Sequence, residues 1–420
     1  MASVMRSTWP LLMGILLLMV GNGMQGTLLG IRGGIEGIPT SQMSVVMAAY
    51  FGGFLLGSLV VPRMIQSVGH VRVFAALGSL ISAVLVLYAV APDWIFWAIM
   101  RFVIGFSFCG VYITAESWLN ASATNETRGQ ALAAYMIVQM LGIIVAQLLL
   151  NTGDPAGFLL FVIPSVLVSL SFTPILLSAQ PAPAFATIKR MSFSRLYRAS
   201  PLGCIGIFLM GGVFSALFGM SSVWGAAMNM TVRDISVFVA AIYIGGLMLQ
   251  FPLGWLSDRM DRRKLVLALS VMGTVVIVAT VVAQPGILWL TLAGALVGGV
   301  ANPVYGLLLA YTNDHLDQAD MAAASAGLLF INGLGSMGGP LITGWLMSLV
   351  GPNGFWIYMG VLLAMLSAYA GWRMTRRAAM PAADQGNYAV VTPSATSLAV
   401  EAALDDAQSS GGDGDPQPAA

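Results

Sequence analysis

The sequence predicts an all-α polytopic membrane protein with twelve transmembrane helices in two pseudo-symmetric six-helix bundles. Three observations lead there. First, 58% of the 420 residues are hydrophobic and only 8% are charged, against about 25% charged in an average soluble domain. A soluble surface of this size could not be kept wet, so an ordinary soluble enzyme is excluded. Second, twelve apolar stretches approach or exceed the roughly 20 residues that cross a bilayer. Third, the two halves of the chain repeat one another.

The stretches are 9–31, 41–65, 73–91, 94–118, 129–150, 157–179, 201–226, 235–256, 265–283, 287–311, 321–348 and 354–373. The first follows a short basic start at Arg6. It is too long for the apolar region of a signal peptide and no A-x-A site follows it, so it counts as a span. Twelve spans put both termini on one side. With the termini inside, the inner loops hold fifteen Lys and Arg and the outer loops only Arg32 and Arg233. Basic residues accumulate on the cytoplasmic side, so both termini are expected there.

Domain boundaries follow. Residues 1–180 form one six-helix bundle and 201–374 the other. A Pro-rich, basic loop at 181–200 joins them. Residues 375–420 form an acidic cytoplasmic tail. From 378 onward there are six acids and no base, and too little apolar surface to fold alone, so disorder is expected.

The repeat lies at an offset near 193. Tyr50-Phe51-Gly52-Gly53 recurs as Tyr243-Ile244-Gly245-Gly246, and Ile95-Phe96-Trp97 as Ile287-Leu288-Trp289. Gly142 matches Gly335, and Pro155-Ala156-Gly157-Phe158 matches Pro352-Asn353-Gly354-Phe355. Two similar bundles suit alternating access, in which rocking one half against the other exposes a midplane site to each side in turn.

The loop after the eighth span reads Gly254-Trp255-Leu256-Ser257-Asp258-Arg259-Met260-Asp261-Arg262-Arg263-Lys264. It resembles the G-x-x-x-D-R-x-G-R-R/K loop of the major facilitator superfamily, with Asp261 where the second glycine is expected. The resemblance implies that Asp258 and Arg259 form a cytoplasmic latch, with Gly254 for close packing and Arg262 and Arg263 holding the loop inside. The equivalent loop after the second span keeps Gly69 and Arg72 but has no acid. Arg101-Phe102-Val103-Ile104-Gly105 looks like the family's R-x-x-x-G motif. Gly335-Ser336-Met337-Gly338-Gly339-Pro340 resembles its G-x-x-x-G-P motif, here in the eleventh span rather than the fifth. Gly335, Gly339 and Pro340 are therefore read as close packing and a bend, and antiport is not carried over. Asn302-Pro303-Val304-Tyr305, Gln250-Phe251-Pro252-Leu253-Gly254 and Arg128-Gly129-Gln130-Ala131 look like the YcaD-like bacterial subgroup. The superfamily resemblance covers residues 9–374.

It implies an inner-membrane transporter of a small organic solute. The central cavity should be lined mainly by spans 1, 4, 7 and 10. Candidates there are Asn22, Gln25, Arg101, Tyr112, Trp224, Asn302 and Tyr305, with Gln139 and Gln250 from neighbouring spans. For each neutral residue, bonding between helices is as good a reading as ligand contact. Arg101 lies about 10 Å along its helix from Trp94. An arginine in hydrocarbon is functional by default, but snorkelling to the interface is the competing reading. Glu116, about 33 Å from Trp94, should reach the cytoplasmic interface and pair with Arg63, Arg72 or Arg128.

No acid lies in the middle of any span. Coupling to a proton, the candidate ion, would thus use Glu116 or a protonatable substrate. The lone Arg101 points to an acidic or amphipathic solute. No metal-ligand cluster and no GxxxxGK[ST] loop occurs, so neither cofactor nor nucleotide is expected. The expected partners are the bilayer and the solute, with no nucleic acid, and the expected state is a monomer. A transport-dead membrane sensor that uses the acidic tail for docking is the alternative.

Overall fold

In the computed structural model the described residues are 2–122, 127–176, 191–283 and 286–376, followed by Gln385, Gly386, Tyr388, Thr396, Val400 and Ala403. They form α1 (Ala2–Ile35), α2 (Thr40–Val68), α3 (His70–Leu87), α4 (Trp94–Ser122), α5 (Arg128–Leu149), α6 (Leu159–Leu176), α7 (Phe193–Ala199), α8 (Pro201–Ala227), α9 (Val232–Ser257), α10 (Arg262–Ala283), α11 (Ile287–Asn313), α12 (Gln318–Val350) and α13 (Gly354–Arg376). No strand occurs among the described residues. Twelve of these helices coincide with the twelve expected stretches. Eleven are long and apolar enough to cross a membrane, whereas α6 carries a shorter apolar segment, Leu159–Pro174. The sixth stretch was expected to run to 179, but residues 177–190 lie outside those described.

The thirteenth helix, α7, falls in the segment expected to be a loop. Ser192 caps it, its side chain accepting from the Arg195 backbone N–H. Leu196 is buried, and Arg195 reaches Asp320 of α12 at 2.5 Å. Several helices also overrun their apolar stretches, because helical hydrogen bonding continues past the hydrocarbon into polar surroundings that hydropathy does not register. Most of the acidic tail, and with it the expected disorder, lies outside the described residues.

Helix packing follows the sequence repeat. In the first bundle α2 packs on α4, α1 on α5 and α3 on α6. In the second α9 packs on α11, α8 on α12 and α10 on α13. Between bundles, α2 meets α12, α5 meets α9 and α1 meets α8. Glycine sets the closest crossings. A Cβ on Gly53 would collide with the Phe102 carbonyl oxygen, and one on Gly105 with that of Tyr50. Gly245 faces the Ala295 carbonyl and Gly298 the Ile242 carbonyl in the same reciprocal way. Gly142 abuts Leu16 and Val20 on α1, and Gly335 abuts Phe208 and Gly212 on α8. The contacts therefore repeat as the sequence does. They make Gly53 the counterpart of Gly245, however, one residue away from the alignment that the Tyr-x-Gly-Gly motif suggests.

Helix direction alternates, so the basic loops gather at one end of the molecule, here called the basic end. At the opposite end the bundles touch through small residues. Gly30 and Gly34 of α1 lie against Ser222 and Ala226 of α8, and Gly344 of α12 lies against Ser44 of α2. Arg32 ties the end of α1 to the loop before α6 by donating to the Pro155 carbonyl at 3.1 Å, and pairs with Glu36 at 2.6 Å. Gly338 has no heavy atom near its would-be Cβ. Gly105→Ala is expected to cost about 1–3 kcal/mol by overpacking, whereas Gly338→Ala should be neutral or stabilising by up to about 1 kcal/mol. Thermal unfolding in detergent checks both; equal shifts would contradict the close-crossing account.

Candidate functional site

Between the bundles lies a central cavity of about 150 Å³. Its most polar feature begins at Arg101 on α4. The residue is 5% exposed, which excludes snorkelling to the interface. Its guanidinium donates through Nη1 to Gln25 Oε1, touches Met47 Sδ at 3.3 Å, and lies 5.1 Å from the Tyr50 ring centroid. Gln25 Nε2 in turn donates to Asn22 Oδ1 at 3.0 Å, and Asn22 Nδ2 to the Tyr112 hydroxyl at 3.0 Å. Tyr112 Oη–H points at Met19 Sδ, 3.5 Å away. Asn22 and Gln25 are three residues apart, so helical spacing puts both on one face of α1. Each donor in this chain feeds the next acceptor, from the cation outward.

Gln139 of α5 and Asn302 of α11 also line the cavity. Arg101 Nε, Gln147 Oε1 and Asn302 Oδ1 are buried without a hydrogen-bond partner among the described residues. Such groups are costly unless something satisfies them. Seven aromatic residues, Tyr50, Phe51, Phe54, Tyr112, Phe214, Phe218 and Tyr243, supply much of the remaining wall. No Asp or Glu is among the lining residues.

Three expected cavity residues are elsewhere. Trp224 is 1% exposed and stacks on Phe355 at 5.1 Å, with Phe238 and Trp356 around it; it belongs to the aromatic core of the second bundle. Tyr305 and Gln250 are buried but do not line the cavity. Gln250 instead interacts with Tyr388. The residues that sequence reading missed sit mainly on α2, α8, α9 and α12, with others on α1 and α5, Gln147 among them. One signal could have found two of them: Tyr50 and Tyr243 head the two copies of the repeated motif.

At the basic end the ion-pair cluster is centred on Arg262, and Arg259 stands outside it. Arg262 is 1% exposed. It pairs with Asp314 at 2.5 Å and with Asp258 at 3.6 Å, and its Nε donates to Ser257 at 3.2 Å. Arg259 is exposed, stacks over the Trp255 ring at 4.0 Å and donates to the Trp255 carbonyl. The reason is geometric. Arg262 opens α10, whose first turn faces the end of α11, whereas Arg259 lies one turn earlier on the solvent side. Asp261, where the motif expects glycine, accepts from the Arg263 backbone N–H at 3.0 Å and pairs with the Arg263 guanidinium at 2.8 Å. It thus caps the start of α10. Burial raises the Asp261 carboxyl, but the Arg263 hydrogen bonds outweigh it and hold the group below its usual pKa. For Asp314 burial wins over Arg262, and its pKa is raised.

Glu116 is buried and accepts from the Tyr135 hydroxyl at 3.0 Å and from the Thr396 backbone N–H at 3.1 Å. Arg63 and Arg72 are exposed, and the Arg128 side chain lies outside the described residues. Gly254 packs against the Tyr388 ring. On α12, Gly335 and Gly339 both lie hard against α8, and Pro340 sits inside the helix. Cys109 and Cys204 are free and buried.

Two bundles around a polar, aromatic-walled cavity are the architecture of a membrane transporter. The family model described as Major Facilitator Superfamily matches residues 11–242 and again 203–400, and the chain belongs to that superfamily of membrane transporters. It is 29% identical over 371 residues to an uncharacterized MFS-type transporter of Yersinia pestis (strain Pestoides F), covering 84% of this chain and 92% of that one. It is 28% identical over 386 residues to the uncharacterized MFS-type transporter YcaD of Salmonella arizonae, covering 88% and 98%. Among solved structures, the nucleoside transporter NupG (D323A mutant) superposes with a TM-score of 0.75 at 13% identity, over 87% of this chain and 99% of that one. A bacterial homologue of the human lysosomal transporter Spinster, inward-facing and occupied, gives 0.71 at 14%, over 89% and 97%. These two likenesses show the fold.

Removing one partner of a buried pair leaves the other uncompensated. Arg262→Ala is therefore expected to lower stability by about 3 kcal/mol or more, and Arg259→Ala by no more than about 0.5 kcal/mol. Denaturation of the purified variants in detergent measures both, and the reverse order would contradict the placing of Arg262 at the centre of the cluster.

Proposed function

We propose that this chain is a secondary or facilitative transporter of a small organic anion, or of an amphipathic solute with an acidic group, working by alternating access. The observation that carries the reading is Arg101: a buried cation on the central cavity, with an unpartnered Nε and no carboxylate among the lining residues. A solute carboxylate would neutralise its charge. The aromatic wall favours a solute with an apolar or planar body. The free oxygens of Gln147 and Asn302 would accept from donors on that body.

The basic end is assigned to the cytoplasm of a bacterial inner membrane by the distribution of Lys and Arg. A proton is the candidate coupling ion. Among the described residues Glu116 is the one acid on a spanning helix that is buried near the basic end, and its contact with Tyr135 links α4 to α5. The chain would act as a monomer, because the cavity is lined by the two bundles of one copy.

The test is reconstitution into liposomes with a panel of organic solutes, recording internal pH alongside flux. An acidic or amphipathic solute should be taken up. Arg101→Gln should reduce its uptake at subsaturating concentration ten- to a hundred-fold, the equivalent of about 1.5–3 kcal/mol for a hydrogen bond to a charged group. Unchanged uptake in that variant would sink the assignment. Flux without a pH change, in the absence of other permeant ions, would point to facilitated diffusion.

A further inference from the structure

The C-terminal segment touches both bundles at the basic end. Thr396 donates from both its backbone N–H and its hydroxyl to Glu116 Oε2, on α4 of the first bundle. Eight residues earlier, the Tyr388 backbone N–H donates to Asp258 Oδ1 at 2.7 Å, at the end of α9 in the second bundle. The Tyr388 ring lies against Gly254 of α9 and Gly306 of α11. Gly386 accepts from Arg262 through its carbonyl and donates to Asp314 Oδ1 at 3.1 Å. Val400 and Ala403 are 1% and 8% exposed and join the hydrophobic core. Glycine at 254 and 306 leaves the room that the tyrosine ring fills.

From these contacts we infer that the surface between the bundles at the basic end is a docking site for the chain's own C-terminal segment, which acts there as a removable wedge. Its contacts are neutral donors on carboxylates: the backbone N–H groups of Gly386, Tyr388 and Thr396 meet Asp314, Asp258 and Glu116. Closing the basic end brings the two bundles together at Glu116 and Asp258, where Thr396 and Tyr388 now stand. With the segment docked, the basic ends stay apart and the small-residue contacts at the opposite end stay shut. Each turnover requires the segment to leave.

Thiol alkylation tests this without a known solute, so its failure would leave the transport reading standing. Cys109 and Cys204 are buried, which keeps the background low. Ser44 is 2% exposed at the sealed opposite end. In a Ser44→Cys protein in detergent, deletion of residues 378–420 is expected to speed maleimide labelling at least threefold. In the intact chain, an Ala403→Cys thiol should react at least tenfold more slowly than the same thiol combined with Tyr388→Ala. An unchanged or slower Ser44→Cys rate in a truncated protein that keeps its melting temperature overturns the inference. So does equal, fast labelling at position 403 with and without Tyr388. If truncation lowers the melting temperature, Tyr388→Ala replaces it as the wedge-releasing variant, with the same threefold criterion at Ser44→Cys.

Discussion

The architecture rests on backbones brought into contact at glycine. In lipid there is little hydrophobic drive between helices, so association depends on van der Waals packing and on how near two main chains can come. At Gly53, Gly105, Gly245 and Gly298 a glycine on one helix faces a carbonyl oxygen on its neighbour. These reciprocal crossings fix α2 against α4 and α9 against α11. They also aim the cavity wall. Tyr50 and Ile242 give their carbonyls to the crossings, while the Tyr50 and Tyr243 side chains project into the space between the bundles. The same packing presents Arg101 to Gln25 on α1 rather than to lipid.

Much of this was legible in the sequence, for identifiable reasons. A composition poor in charge, apolar stretches of membrane length and a repeat with a steady offset are properties of the whole chain. They survive errors at single positions. The Arg101, Gln25, Asn22 and Tyr112 chain was also within reach, because polar groups in hydrocarbon must find one another. Which way an aromatic or a buried glutamine points was not. Helices such as α8 are apolar on every side, so no stripe marks the face that meets the cavity. Trp224 and Phe214 share that helix, yet only Phe214 lines the cavity. The helix α7 was missed because seven residues are too few to carry a periodic signal, although Ser192 and Leu196 mark its start and its buried face.

The loop between α9 and α10 shows a similar division. Its composition announced a cluster of acids and bases, but the partners depend on where α10 begins. That start sets Arg262 beside Asp314, fifty-two residues away in sequence, and leaves Arg259 on Trp255. Asp261, a departure from the superfamily pattern, has its own local use as the residue that caps α10 and restrains Arg263. Identity of charge along a loop is therefore readable before its pairing is.

The seal at the opposite end has a different character from the basic end. Gly30, Gly34, Ser222, Ala226, Ser44 and Gly344 meet there with little side chain between them. Parting such surfaces strips no ion of its counterion at the contact and pulls no long side chain out of a socket. The work of opening scales with contact area and with the weak bond from Ser222 to the Gly26 carbonyl. A contact of that kind is nearly blind to ionic strength and to pH. Salt and protons therefore act on the ion pairs at the basic end and leave the small-residue contact at the other end untouched.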